Sequence, residues 1–174
     1  MKQNALRDIL AALRSGQPDA FDRLYDMLSK PVYTIAYRIT GQREQAEDLT
    51  QEIFLRLYLS PPDASVKNPR AWIFQMVHNL AIDTLRKLPD APLPDALADP
   101  ADPIGDALLR AELAEAMTAL TPQEREIVAL HIDAELPFHE IAALTGGSLS
   151  SVYRSYRRAL RTLREALEPP EKGA

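Results

Sequence analysis

Residues 137–167 have the sequence PFHEIAALTGGSLSSVYRSYRRALRTLREAL, and this stretch decides the fold of the C-terminal part of the chain. A short apolar segment precedes the turn Thr145-Gly146-Gly147, and a long segment rich in arginine follows it. Glycine commonly ends helices, and Ser148 is a residue type favoured at a helix N-cap. A short helix, a glycine turn and an arginine-rich helix together predict a helix-turn-helix.

The last predicted helix has two chemically different faces. At roughly 100° per residue, one face is apolar and comprises Leu149, Val152, Tyr156, Ala159, Leu160, Leu163 and Leu167. The other face is cationic and comprises Arg154, Arg157, Arg158, Arg161 and Arg164. Arginines can neutralise DNA phosphates, while Ser150, Ser151 and Tyr153 lie early in the helix, where recognition helices contact bases. The alternative is a solvated arginine face that binds an acidic protein.

Apolar residues recur with helical spacing along the rest of the chain, and no alternating strand pattern persists. Pro18, Pro31 and Gly41 are expected to mark helix boundaries. Further helices are predicted over 43–58 and 70–88. Thr121-Pro122-Gln123-Glu124 predicts a capping box with proline at the first helical position, followed by a helix to Ile132. The sequence therefore predicts an all-α protein.

Residues 89–106 separate two helical parts. This segment contains Pro92, Pro94 and Pro100 with interspersed aspartates, and it lacks apolar periodicity, which is typical of an extended linker. We therefore expect two small helical domains, 1–88 and 107–174, joined by a Pro/Asp-rich acidic linker. Charged residues are unevenly distributed along the chain: acidic residues concentrate around the linker and basic residues in the last helix. The net charge of −5 does not reveal this separation.

The predicted helix over 70–88 also has two faces. Its apolar stripe comprises Ile73, Met76, Val77 and Leu80. A separate arc comprises Trp72, Gln75, Asn79, Asp83 and Arg86, with Lys67 and Arg70 just upstream. A helix face that carries amide, basic and aromatic side chains is suited to binding unstacked nucleobases. The alternative is that Trp72 is a core residue, Asn79 bonds locally and Asp83 pairs with Arg86 or Lys87.

The predicted helix over 43–58 has a polar set away from its inner stripe. The set comprises Glu47, Asp48, Gln51, Glu52, Leu55 and Arg56. These residues alone favour an ordinary solvated face.

The sequence offers no recognisable active site or cofactor site. It contains no cysteine, so neither a disulfide nor a thiolate zinc site can form. His139-Glu140 begins like a zinc-protease motif, but Ala143 occupies the position of the second histidine, which excludes that metal site. The segments are too short or too polar to span a membrane. We expect a cytoplasmic protein that is not an enzyme and binds no metal.

Several strings, in this order, resemble a bacterial RNA polymerase sigma factor of the small extracytoplasmic-function (ECF) kind. Residues 19–25 and 47–57 resemble the first helices of the sigma-two domain. Residues 68–83 resemble its promoter-melting helix, and 120–126 with Glu140-Ile141-Ala142 resemble the sigma-four domain. The resemblance covers nearly the whole chain and implies a factor that directs core polymerase to promoters and assists strand opening.

The resemblance also assigns partners and roles. It implies that Asp48, Gln51, Glu52, Leu55 and Arg56 bind the clamp helices of the largest polymerase subunit, which replaces the solvated-face interpretation. The sigma-four domain would bind the flap of the second-largest subunit. Asn79, with the loop over 65–68, would capture a base flipped from the minus-ten strand. The predicted minus-ten contacts are Lys67, Asn68, Arg70, Trp72, Gln75, Asn79, Asp83 and Arg86. The predicted minus-thirty-five contacts are Ser148, Ser150, Ser151, Tyr153, Arg154, Arg157, Arg158 and Arg161.

The sequence departs from the family pattern in the turn and the last helix. The family pattern has an aliphatic residue at the position of Gly147, a glycine at the position of Ser150 and a basic residue at the position of Tyr153. The promoter sequence therefore does not follow from the resemblance. The resemblance leaves room for an anti-sigma partner, and a monomer is the simplest expectation for the free chain. Two rivals remain: a stand-alone helix-turn-helix regulator, and a polymerase-binding antagonist that does not recognise DNA.

Overall fold

The computed structural model describes residues 2–88 and 107–168, and these residues form eight helices and no strands. The N-terminal unit has four helices: α1 (Lys2–Arg14), α2 (Ala20–Thr40), α3 (Arg43–Leu59) and α4 (Pro69–Lys87). The C-terminal unit has four more: α5 (Ala107–Thr118), α6 (Pro122–Ile132), α7 (Phe138–Thr145) and α8 (Leu149–Leu167). The predicted all-α class is confirmed. The predicted linker at 89–106 lies outside the described residues.

Helix α2 is the centre of the N-terminal unit and packs against α1, α3 and α4. Its inner stripe is buried and includes Leu24, Leu28, Val32 and Ile35. The expectation that Pro31 marks a helix boundary is wrong, because α2 continues through it. Proline removes one backbone hydrogen bond from a helix interior. The unbroken stripe of buried side chains on both sides of Pro31 offsets that loss.

Helix α4 begins at a cap that positions its first turn. The Asn68 side chain accepts a hydrogen bond from the backbone N–H of Ala71 at 3.1 Å, and Pro69 occupies the first helical position. Ile73, Phe74, Val77 and Ala81 are its buried apolar residues, whereas Met76 and Leu80 are only half-buried. The buried stripe therefore lies closer to Phe74 than the sequence predicts, and the opposite face of α4 lies at the surface.

The helix-turn-helix of the C-terminal unit forms as predicted. Both hydrogen bonds of the capping box between Thr121 and Glu124 are present at the start of α6. Gly146 ends α7 with φ +73°, a left-handed conformation that favours glycine, and its N–H donates to the Ala142 carbonyl. Ser148 caps α8 by accepting a hydrogen bond from the N–H of Ser151 at 3.1 Å.

The buried face of α8 is narrower than the sequence predicts. Val152, Ser155 and Ala159 are buried, whereas Leu149, Leu160 and Leu167 are largely exposed. Only one narrow side of α8 lies against α5, α6 and α7. Within the two described ranges, no helix combines the length and the apolar character needed to cross a bilayer.

Candidate nucleic-acid and protein-binding surfaces

Helix α8 presents a row of exposed cations. Arg154, Arg157 and Arg161 are exposed on the side of the helix away from the buried Val152 and Ala159. Guanidinium groups projecting from one helix face suit electrostatic contact with the phosphates of a duplex. We call Arg154, Arg157 and Arg161 the arginine ridge.

Arg158 differs from its neighbours in the same row. Its Nε donates to Oε1 of Glu124 at 2.5 Å, and the Glu124 side chain is only 5% exposed. Burial raises the pKa of Glu124, but hydrogen bonds from the Thr121 backbone and from Arg158 outweigh burial and hold that pKa below its ordinary value. The structure thus gives Arg158 a partner that ties α8 to α6.

Tyr153 is held in the first turns of α8 by two neighbours. Its ring packs edge-on against Phe138 of α7, with centroids 5.5 Å apart. Its hydroxyl oxygen accepts a hydrogen bond from Arg157 at 3.3 Å, and the same guanidinium lies over the tyrosine ring. Ser150 and Tyr153 are exposed, and Ser151 is half-buried. Because Phe138 and Arg157 restrain it, the Tyr153 side chain has fewer rotamers to lose on binding.

Several side chains predicted to contact the minus-ten strand line one cleft on α4. Trp72, Gln75, Asn79 and Asp83 line a cleft of about 310 Å³, together with Met76, Leu80 and Arg56 of α3. Trp72 is 37% exposed and Asn79 is exposed, so the alternative in which Trp72 is a core residue is wrong. Asp83 pairs with Arg86 at 3.7 Å, as the alternative expected, and both side chains are exposed.

Other residues of the predicted minus-ten set lie elsewhere. Lys67 is exposed, and its carbonyl accepts a hydrogen bond from Arg7 of α1. Asn68 is half-buried at the α4 cap. Arg70 is buried, and its Nε donates to the Ala134 carbonyl between α6 and α7. Sequence reasoning missed this environment because no local pattern connects residues 70 and 134.

Helix α3 carries the predicted protein-binding face at its surface. Asp48, Gln51, Leu55 and Arg56 are exposed, and Glu52 pairs with Arg56 at 2.6 Å. Leu55 is 52% exposed. Tyr25 and Tyr58 are also exposed; both rings contact Phe21 of α2, and Tyr25 also contacts Phe54 of α3. An apolar side chain among charged neighbours suits a protein interface.

Arg56 connects the two surfaces of the N-terminal unit. It belongs to the exposed face of α3, and it also lines the α4 cleft with Asn79 and Asp83. Its position in the sequence predicts a place on the protein-binding face alone. Its place in the cleft depends on the packing of α3 against α4, which periodicity within one helix does not reveal.

The histidines form no metal centre in the described residues, which contain no cluster of three or more metal-ligating side chains. His131 stacks on Phe138 with centroids 4.2 Å apart, and its Nδ1 lies 2.9 Å from the Leu136 carbonyl oxygen. His139 is exposed next to Glu140. His78 pairs with Glu126, a contact between the two units.

Each of the two helical units matches a known protein family model. The Sigma-70 region 2 profile matches residues 24–88, and the Sigma-70 region 4 profile matches residues 110–163. The first match contains α3 and α4 with the cleft, and the second contains the helix-turn-helix. We use the names region 2 and region 4 for the two units from here on.

Curated relatives and solved structures agree with the family matches. The chain is 30% identical to the ECF RNA polymerase sigma factor BldN of Streptomyces coelicolor, covering 93% of this chain and 66% of BldN. It is 28% identical to the ECF RNA polymerase sigma factor SigK of Mycobacterium ulcerans, covering 96% of each protein. The sigma factor RpoE of Bartonella quintana, solved with the anti-sigma factor NepR, shares the fold with a TM-score of 0.69 at 19% identity, over 88% of this chain and 99% of RpoE. The chain belongs to the sigma-70 family of RNA polymerase sigma factors and resembles its ECF members over both conserved regions.

Proposed function

We propose that this protein directs core RNA polymerase to specific promoters and assists the opening of the DNA strands. The observation that carries the proposal is the presence, in one chain, of both sigma-70 regions with an exposed binding surface on each. In this proposal residues 1–88 bind polymerase and the minus-ten element, residues 89–106 connect the domains, and residues 107–174 bind the minus-thirty-five element.

Region 4 would bind duplex DNA through α8. The arginine ridge would neutralise phosphates, and Ser150, Ser151 and Tyr153 in the first turns of α8 would meet base edges in the major groove. Phosphate contacts give affinity and orientation, and the few base contacts give sequence preference. Ser148 serves as the cap that sets the direction of the first turn.

Region 2 would capture an unstacked base of the minus-ten strand in the α4 cleft. Trp72 offers a stacking surface, whereas Gln75, Asn79 and Asp83 offer hydrogen-bonding groups along the same cleft. Its volume of about 310 Å³ lies near the lower end of small-molecule pockets, a size that suits a single nucleobase. Capturing a base that has left the stack lowers the free energy of the open strand relative to the duplex.

Core polymerase is the proposed protein partner, and this sets the place of action in the cytoplasm. The exposed set Asp48, Gln51, Glu52, Leu55 and Arg56 would bind the clamp helices of the largest subunit, and region 4 would bind the flap of the second-largest subunit. An anti-sigma factor is a further proposed partner, because RpoE, which shares this fold, was solved with NepR. The free chain is proposed to be a monomer.

Reconstituted transcription tests the proposal. Purified protein and core polymerase are incubated with a pool of genomic fragments, and transcript starts are sequenced with and without the protein. Discrete starts that depend on the protein are expected. Polymerase binding without such starts would favour the antagonist, and operator binding without polymerase would favour the stand-alone regulator.

A further inference from the structure

Helix α1 lies outside both family matches, since the region 2 match begins at residue 24 and the region 4 match at residue 110. Its apolar side is nevertheless firmly packed: Leu6, Ile9 and Leu10 are buried, and α1 lies against α2 and α4. A helix held in this way is a fixed support for the segments that its polar side contacts. One such segment is the loop of residues 60–68, which joins α3 to α4.

Two arginines of α1 hold this loop near both of its ends. Nη1 of Arg14 donates to the Pro62 carbonyl at 2.7 Å, and Nη2 of Arg7 donates to the Lys67 carbonyl. The arginines are seven residues apart, so they lie on the same side of α1, about 10 Å from each other along the helix axis. Both acceptors are backbone carbonyls, so these contacts fix the path of the loop backbone.

Gln3 extends the same row of α1 to the start of α4. It precedes Arg7 by one helical turn, and its Nε2 donates to Oδ1 of Asn68 at 3.4 Å. The same oxygen accepts a hydrogen bond from the backbone N–H of Ala71 and so caps α4. Helix α1 therefore contacts the loop near its start, near its end and at the cap of the helix that carries the cleft.

The middle of the loop forms a turn of its own. Oδ1 of Asp63 accepts a hydrogen bond from the backbone N–H of Ser65 at 2.8 Å, and the Asp63 carbonyl accepts one from the N–H of Val66 at 3.1 Å. The first of these bonds is typical of an Asx turn. It lowers the pKa of Asp63, and the charge of Arg14 lowers that pKa further. Arg14 thus acts on the turn as well as on the Pro62 carbonyl.

A cavity of about 250 Å³ separates the middle of the loop from α1. Leu10 and Ala11 line it on the side of α1, and Ala64 and Val66 line it on the side of the loop. Residues 63–65 are exposed and Val66 is half-buried. Apolar burial therefore contributes little to holding this stretch, which leaves the hydrogen bonds to the two arginines as an important restraint.

We propose that α1 is a positioning element for the base-capturing loop, in which Arg7 and Arg14 hold residues 62–67 in the conformation that receives a flipped base. The proposal rests on the proposed sigma function, which assigns the loop over 65–68 to the minus-ten strand. A loop that already has its binding conformation loses less conformational entropy when the base arrives. A single loop geometry also fits one base better than the other three, and this difference in affinity gives sequence preference.

Hydrogen exchange tests the restraint without polymerase or promoter. The backbone amides of Ser65 and Val66 report on the loop, because both donate to Asp63. In the double variant Arg7→Ala/Arg14→Ala we expect them to exchange about tenfold faster, while the amides of α1 keep their wild-type rates. Arg23→Ala removes an exposed arginine of α2 and is the matched control.

Two results of the exchange experiment would overturn the proposal. One is an unchanged exchange rate of the loop amides in the double variant. The other is an equal acceleration throughout α1, because the arginines would then stabilise α1 itself and not the loop. The variant Arg7→Lys/Arg14→Lys keeps a donor at each position, so its loop should exchange more slowly than that of the alanine variant.

Base preference tests the role of the loop in strand capture. Templates are made from a responsive promoter with the minus-ten segment already unpaired, and each position carries each of the four bases in turn. At the position that the loop contacts, we expect Arg7→Ala/Arg14→Ala to reduce the base preference of the polymerase complex about fivefold. Affinity for core polymerase should stay at the wild-type value. A general loss of stability would not alter the preference at one position, and an unchanged preference would contradict positioning.

Salt dependence distinguishes positioning from direct phosphate contact by the same arginines. Each arginine bound to a single-strand phosphate contributes about 0.7 to the slope of log K against log salt. We expect the double variant to keep the wild-type slope on the unpaired templates. A fall of about 1.4 would assign both arginines to the DNA backbone and overturn the proposal. Absence of any base preference in the wild-type complex would instead count against the sigma function and leave the exchange result standing.

Discussion

Nε of Arg158 lies 2.5 Å from Oε1 of Glu124, and the other oxygen of the same carboxylate accepts a hydrogen bond from the backbone N–H of Thr121 at 3.0 Å. One buried carboxylate therefore caps α6 and connects it to the middle of α8. The arginine that completes this arrangement stands in the row of α8 that otherwise faces solvent.

Glu124→Gln should destabilise region 4. The amide keeps the size of the side chain but removes the charge that Arg158 and the Thr121 backbone stabilise. We expect the free energy of unfolding to fall by about 1–3 kcal/mol at neutral pH. Urea denaturation followed by circular dichroism measures the change. Glu165→Gln, at an exposed position of α8, is the control and should be nearly neutral.

The effect of Glu124 should depend on pH in a defined direction. The folded pKa of Glu124 is lowered from its ordinary value of 4.5, so its charge contributes stability above about pH 4.5. That contribution is lost as the pH falls through the folded pKa. The difference between wild type and Glu124→Gln should therefore shrink in acid. A difference that stays constant from neutral pH to about pH 3 would contradict this role.

Substitution of Arg158 should mainly lower the stability of region 4, whereas substitution of Arg161 should mainly weaken DNA binding. Arg161→Ala removes an exposed cation, so we expect the slope of log K against log salt for a duplex to fall by about 0.9, with unfolding unchanged. Arg158→Ala removes the partner of Glu124, so we expect a loss of about 1–2 kcal/mol in unfolding. Salt titrations with any duplex and urea curves measure both. Equal effects of the two substitutions on stability would contradict the assignment.

Local sequence signals predicted the parts of the fold that local interactions determine. The capping box at Thr121, the cap at Ser148 and the turn at Gly146 each depend on neighbours within a few residues, and all three are present. The prediction that a helix boundary falls at Pro31 was wrong. Helix α2 has buried apolar side chains on both sides of this proline and packs against α1, α3 and α4, and this packing outweighs the preference of proline for a helix end. Tertiary packing decided that position.

Nonlocal contacts explain what the sequence could not predict in the candidate sites. Arg70 is a residue type that commonly contacts nucleic acids, but in the structure it donates to a backbone carbonyl 64 residues away in the sequence. Because every residue has such a carbonyl, the sequence gives no indication of this partner. Arg158 lies in the cationic row by periodicity, and only the packing of α6 on α8 brings Glu124 to it. The α4 cleft was predictable because its four main side chains share one helix face.

Asp48→Lys should weaken binding to core polymerase. The side chain is exposed on α3 beside Gln51 and Leu55, so the substitution reverses a charge in the proposed interface without disturbing the core. We expect the dissociation constant to rise about tenfold, with a larger effect at low salt. Fluorescence anisotropy of labelled protein titrated with polymerase measures it. Asp8→Lys makes the same change on α1 and should bind like wild type, and a similar loss in both variants would contradict a specific face.

Asn79→Ala should impair strand opening while sparing polymerase binding. Asn79 is exposed and lines the α4 cleft with Trp72, so removing its amide deletes hydrogen bonds that form only with a base already out of the stack. We expect open complexes to fall about tenfold or more, which corresponds to at least about 1.4 kcal/mol of base capture. Permanganate reactivity of unpaired thymines on a responsive promoter measures the open fraction.

The polymerase affinity of Asn79→Ala decides how a loss of opening is interpreted. Asn79 lies on α4, whereas the proposed clamp contacts lie on α3, so binding to core polymerase should remain at the wild-type value. Gln123→Ala, at an exposed amide in the first turn of α6, is the control for general effects of amide removal. Open complexes at the wild-type level in Asn79→Ala would contradict base capture in the α4 cleft. A loss of polymerase binding in parallel would show instead that the cleft belongs to the protein interface, because Arg56 already connects the two surfaces.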